Sequence, residues 1–178
     1  VDMKKIIITT LFAFSFNVFA NENFEYAVNK LISFEGEKLD KSIGKIHSKY
    51  GITRPTLKVY NGKTDIENLT KPVAKKIIYK LYWKEFKLDN IKDKRSALLV
   101  LDFIYNSNSR NAINQIQKSI GTKITGKLSM VDINKINSMK YKNFYKIYSN
   151  QRLNYMKSLK VWNKFKNGFK NRIKMLGE

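Results

Sequence analysis

The sequence predicts a mainly α fold with one weak β element. Three observations carry this. Only two prolines and eight glycines occur in 178 residues, so long helices can run unbroken. Apolar residues recur at helical spacing along most of the chain, and alternating strand patterns are scarce. The turn-forming residues are concentrated between 36 and 68, which hold Gly36, Gly44, Gly51, Pro55 and Gly62. With 43% hydrophobic and 13% aromatic residues, the chain is too apolar to be disordered. Its length suits one compact domain, or a lobe with a small appended module.

The elements follow in order. Phe24, Ala27, Val28, Leu31 and Ile32 share one helix face, and that helix stops near Phe34-Glu35-Gly36. Residues 36 to 68 read as loops with a short hairpin. Thr70 is a suitable N-cap, and Pro72 suits a first turn. Val73, Ile77, Leu81 and Tyr82 then line a helix to about Phe86. Asp93 to Asn106 is a helix with Ala97, Leu98, Leu101 and Tyr105 on its apolar face. Arg110 to Ile120 stops at Gly121, a fitting C′ residue. A turn at Gly126 precedes a short helix near Met130 to Ile136. Phe144 to Ser158 and Val161 to Leu176 close the chain, with Trp162, Phe165, Phe169 and Ile173 as expected core.

The amino end reads as an export signal. Met3-Lys4-Lys5 is a basic start, residues 6 to 20 are almost wholly apolar, and Val18 and Ala20 are small residues before the polar Asn21-Glu22-Asn23. This is the three-part pattern of a secretory signal peptide, cleaved between Ala20 and Asn21. The run is shorter than the ~20 residues of a membrane span; an uncleaved anchor or a buried helix are the alternatives. Export implies a periplasmic or secreted protein with no stable membrane insertion after cleavage.

Charge and composition narrow the partner. Lys and Arg number 35 against 14 Asp and Glu, a net charge of +21. Such a surface attracts polyanions. An exported chain meets an anionic envelope polymer rather than nucleic acid, and no nucleic-acid-binding signature is present. Part of the excess reflects the Lys-, Asn- and Ile-rich usage of an AT-rich genome. There is no cysteine and one histidine, His47. Disulfides, thiolate metal sites, cysteine nucleophiles and multi-histidine zinc sites are excluded. No metal or organic cofactor is expected, and His47 reads as a loop residue.

Acid-base chemistry then falls to carboxylates. Most are flanked by lysines and read as solvated surface. Glu35 differs, because it follows Leu31-Ile32-Ser33-Phe34 and precedes the helix-ending Gly36. A carboxyl set half in an apolar wall and half in a cleft is favoured in its protonated form and suits a general acid. Glycoside hydrolysis needs such an acid at the leaving oxygen. Spacing alone also allows a surface glutamate at a helix end.

Phe34-Glu35-Gly36, followed by Ser48-Lys49-Tyr50-Gly51-Ile52-Thr53, resembles glycoside hydrolase family 108, the peptidoglycan muramidases of phage lysis and secretion-associated wall opening. Further matches run in order: Leu69-Thr70, Tyr82-Trp83, Asp102 with Asn106-Ser107, the Ala112 to Gly121 helix, Gly126, and Arg152, Tyr155, Gly168 and Arg172 near the end. The resemblance implies a lysozyme-like helical lobe with a small helical carboxyl-terminal module. It divides the chain into a signal peptide (1–20), a catalytic region (21–92) and a peptidoglycan-binding region packed on it (93–178).

By this resemblance Glu35 is the catalytic acid. Ser48 orients the attacking water, and Asp40 is the remaining acidic-loop carboxylate. Tyr50 and Thr53 of the same run are substrate-binding candidates. Tyr82 and Trp83 would stack on sugar faces. Asp102 and Asn106, one turn apart on a helix, would hydrogen-bond N-acetyl groups or form a buried pair satisfying backbone amides. The chain departs from the pattern where Glu37 replaces a glycine and where the acidic Gly-rich loop shrinks to Asp40 and Gly44. That leaves a single carboxylate with a positioned water, or reduced activity.

The leading expectation is an exported, monomeric enzyme that cleaves the β-1,4 bond between N-acetylmuramic acid and N-acetylglucosamine in peptidoglycan. A lytic transglycosylase on the same scaffold and a catalytically degenerate wall-binding protein are the alternatives.

Overall fold

The computed structural model describes residues 21–36, 38–40, 47–62 and 65–178. The signal peptide expected at 1–20, and the readings of Glu37 and Gly44, lie outside the described residues. The fold is mainly α, with eight helices and one two-stranded sheet among the described residues.

Helix α1 (Glu22–Glu35) begins where the Asn21 side chain accepts from the Asn23 and Phe24 amides, with Glu22 and Glu25 in its first turn. Acidic residues there complement the positive end of the helix dipole. Gly36 ends the helix at φ 80°, which places Glu35 on the last turn. The buried stripe of α1 packs against α4 (Lys94–Tyr105). The sequence pattern predicts one apolar face for α4, yet all nine residues from Ser96 to Ile104 are buried. A helix that is apolar almost all round occupies the core, and α4 does so, with the polar Asp102 inside it.

Strands β1 (Ser48–Lys49) and β2 (Ile52–Thr53) pair antiparallel, Ser48 opposite Thr53 and Lys49 opposite Ile52. The connecting Tyr50 and Gly51 have φ of 57° and 75°, the left-handed pair that a two-residue hairpin requires. Asp40 bridges the other edge of β1: its amide donates to Ser48 O at 2.7 Å, and the Ser48 amide donates back to Asp40 O at 3.0 Å.

Helix α2 (Arg54–Asn61) corrects the expected loop. Pro55 is the misleading signal. It sits in the first turn of α2, behind the Thr53 cap, where a missing N–H costs nothing. Helix α3 (Lys71–Ile78) starts after Thr70, which makes no side-chain cap bond, and continues to Lys84 as a wider turn.

Helices α5 (Ser109–Ile120), α6 (Met130–Asn137), α7 (Tyr141–Lys157) and α8 (Trp162–Gly177) complete the chain. Asp132 ties the α5–α6 turn, accepting from Gln117 at 3.0 Å and Thr122 at 2.6 Å. One continuous core runs from Phe24 to Leu176, and α8 lies on α7 and α4.

The aromatic residues of α8 correct another expectation. Ile173 and Leu176 are buried, but Phe165 is 46% exposed, and Trp162 and Phe169 are half-buried. The rings of Trp162 and Phe165 each lie 6.3 Å from that of Phe169. The apolar stripe of α8 is longer than the body beneath it, so its first turns pack ring on ring at the surface.

Candidate active site

The end of α1, the β1–β2 hairpin and the end of α4 enclose a cleft of about 370 Å³. It gathers Glu35, Asp40, Ser48, Tyr50, Thr53 and Asn106, six of the residues singled out from the sequence. Local structure explains each position. Glu35 sits where Gly36 stops α1. The paired bonds between the Asp40 and Ser48 backbones set those two residues side by side. The left-handed turn turns Tyr50 inward, leaving it 7% exposed. Thr53 serves mainly as the cap of α2, accepting from the Thr56 amide at 3.4 Å.

Lys38, Tyr105 and Gly51 complete the wall, and the sequence patterns do not assign them to the site. The Tyr105 hydroxyl donates to Tyr50 O at 2.9 Å and pins the hairpin to α4. Burial, then the neighbouring Tyr82 and Glu35, push the Tyr105 phenol well above its usual range, so it stays a donor across working pH.

Gly51 leaves no room for a side chain. A Cβ there would lie 2.8 Å from the Tyr105 ring and 2.9 Å from Glu35 Cγ. Gly51→Ala is therefore expected to displace Glu35 and to add about 1–2 kcal/mol of left-handed backbone strain. Melting temperature and activity measured together check this. Unchanged activity would mean that the hairpin does not set the position of Glu35.

Glu35 has a partner from the far end of the chain. Arg172 Nη2, on α8, donates to Glu35 Oε1 at 2.5 Å. The same guanidinium donates through Nε and Nη2 to Asp102 Oδ1, at 2.8 and 2.5 Å. Asp102 Oδ2 accepts from Arg152 Nη1 at 2.7 Å, and Arg152 also donates to Tyr148 Oη at 2.6 Å. The Tyr148 hydroxyl in turn donates to Leu99 O at 2.8 Å. The Phe34 ring lies 4.8 Å from the Arg172 guanidinium carbon. The sequence sets Glu35 against an apolar wall; the structure adds a cation to it.

Three sugar-binding expectations are corrected or moved. Trp83 has no exposed surface. Its ring meets Phe24 at 5.2 Å, and its Nε1 donates to Asp89 at 2.7 Å, so no sugar can stack on it. Asp102 is wholly buried. Its side chain accepts from two arginines and from Asn106 Nδ2 at 3.4 Å rather than from backbone amides, and it is closed to N-acetyl groups. Tyr82 lies outside the cleft, beside a second groove of about 310 Å³ with Thr56 and Val59, its ring 4.8 Å from that of Tyr105. His47 lies at 3.5 Å from Glu67 near the hairpin.

A carboxyl group at a helix end, lining one cleft with a hydroxyl and a second carboxyl group, is a set of groups that acid-assisted bond hydrolysis can use. The glycosyl hydrolase 108 family profile matches residues 28–107. Over those residues the chain is similar to glycosyl hydrolase family 108. The match spans the whole cleft. Among solved structures, SagA of Brucella abortus aligns with 86% of this chain and 90% of its own, at a TM-score of 0.74 and 23% identity. That likeness extends the shared fold well beyond the matched region, to the carboxyl-terminal helices. No curated protein sequence matches. Within this glycosyl hydrolase 108 region lie Glu35, Asp102 and Asn106; Arg152 and Arg172 lie outside it.

Proposed function

We propose that this protein, similar over residues 28–107 to glycosyl hydrolase family 108, is an exported peptidoglycan hydrolase that cleaves the β-1,4 bond between N-acetylmuramic acid and N-acetylglucosamine. The observation that carries the reading is the cleft that gathers Glu35, Ser48 and Asp40. Glu35 protonates the glycosidic oxygen, and the bond from that oxygen to C1 of the muramic acid breaks. The sugar passes through an oxocarbenium-like state, stabilised by the Asp40 carboxylate. A water oriented by the Ser48 hydroxyl adds to C1 and gives up its proton, which Asp40 accepts. No metal or organic cofactor takes part in these steps. Peptidoglycan is anionic, which suits the net charge of +21. The export signal read at 1–20 would deliver the chain to its substrate as a monomer. No helix among the described residues is long and apolar enough to cross a membrane.

The products test the reaction. Mass spectrometry of fragments released from purified walls is expected to show saccharides ending in reducing N-acetylmuramic acid. Anhydro ends would instead establish intramolecular attack by the sugar's own hydroxyl, the transglycosylase outcome. Release of peptides without glycan cleavage would refute both.

A further inference from the structure

We infer that Arg172 is a positioning residue of the active site, so that α8, outside the family-matched region, is part of the catalytic apparatus. The inference rests on the reading of Glu35 as the acid and adds what aims it.

Glu35 is the last residue of α1, and a glutamate at a helix end has three side-chain torsions to fix. One carboxyl oxygen, Oε1, accepts from Arg172 Nη2. The other, Oε2, is the oxygen that a Cβ at Gly51 would approach to 3.0 Å, so it faces the turn that walls the cleft. The two oxygens are thereby made unequal. Arg172 takes Oε1 and leaves Oε2 as the oxygen that delivers the proton to the substrate. Once the proton has left, the new carboxylate already faces a guanidinium that needs no reorganisation to stabilise it.

Arg172 is itself held. Asp102 accepts two of its N–H groups, and Asp102 is fixed from its other side by Arg152, which is 1% exposed. The Phe34 ring, next to Glu35 in the chain, packs against the same guanidinium. Glu35 is thus braced by a chain of contacts that ends in the middle of α4 and α7. The planar fork of an arginine can hold two carboxylates at once, which a lysine ammonium on its flexible stem does not do with fixed geometry.

The test compares wild type, Glu35→Gln, Arg172→Met and Arg172→Lys in full-length protein, with initial rates over a range of wall concentrations and a melting curve for each variant. Misplacing a reacting group by about 1 Å costs about a hundredfold. Arg172→Met is therefore expected to lose roughly ten- to a hundredfold in kcat, with KM changed by less than about threefold, at a temperature where it remains folded. Arg172→Lys should lie between Arg172→Met and wild type. Wild-type kcat in folded Arg172→Met, or a loss confined to KM, overturns the inference. If Arg172→Met does not fold, Arg172→Lys decides: a wild-type kcat there overturns it, and a reduced kcat at unchanged KM supports it. Activity that survives in Glu35→Gln sinks the assignment of the acid itself. An inactive Glu35→Gln beside a fully active Arg172→Met sinks only the role of Arg172.

Discussion

Glu35→Gln is expected to lower wall hydrolysis at least about a hundredfold while leaving wall binding intact. General acid catalysis contributes about 10²- to 10⁴-fold, and an amide has no proton to transfer at the glycosidic oxygen. The substitution preserves volume, and its carboxamide oxygen can still accept from Arg172 Nη2, so the cleft should keep its shape. Binding to the anionic wall depends on exposed lysines and arginines, which the substitution does not touch. It should weaken as salt rises, because exposed charges are screened over about 10 Å at 0.1 M. Turbidity loss and pelleting with purified walls, measured side by side, separate the two properties. A Glu35→Gln protein as active as wild type would place the acid elsewhere.

Much of the site is legible in the sequence because its pieces are local. Gly36 marks the end of α1, and so puts Glu35 at a helix terminus. The Tyr50-Gly51 pair marks a turn and brings Ser48 and Thr53 together. What the sequence hides has two causes. Burial of Trp83 depends on how far the wider turn at Tyr79–Lys84 rotates the ring toward Phe24, and no periodicity reports that. The Glu35–Arg172 contact joins residues 137 apart in the chain, and nothing near either one announces the other.

A weaker signal is present nonetheless. Asp102 interrupts the run Ala97-Leu98-Leu99-Val100-Leu101-Asp102-Phe103-Ile104. Arg152 falls on the buried stripe of α7 with Phe144, Tyr148 and Met156. Arg172 shares the inward stripe of α8 with Phe165, Phe169 and Leu176, at spacings of three, four and seven. A charge on an inward stripe must meet an opposite charge, since an isolated buried ion is too costly to keep. Helical spacing and charge together therefore mark one buried acid and two inward arginines as charges in need of partners, without saying which of them pair. The aromatic residues of α8 fail for the opposite reason: periodicity identifies which face turns inward, and only the tertiary structure shows where the body beneath that face ends.

Asp102→Ala is expected to be strongly destabilising, although Asp102 itself does not line the cleft. Asp102 has no exposed surface and accepts from both Arg152 and Arg172. Removing it leaves the buried Arg152 guanidinium without its carboxylate, and breaking a buried ion pair from one side costs about 3–5 kcal/mol. At about 2–4 °C per kcal/mol for a protein of this size, the melting temperature should fall by roughly 6–20 °C. Asp102→Asn keeps the shape and one acceptor but places a neutral group between two cations, so it should fall by a smaller amount. The source of the penalty can be isolated. If it is the stranded charge, replacing Arg152 by Met in the Asp102→Ala background should recover part of the loss, because no buried cation is then left unpaired at that position. If the penalty is a packing cavity, the second substitution should deepen it. An Asp102→Ala protein that melts within about 2 °C of wild type would show that the two arginines find other partners, and that the ion cluster does not bind α8 to the core.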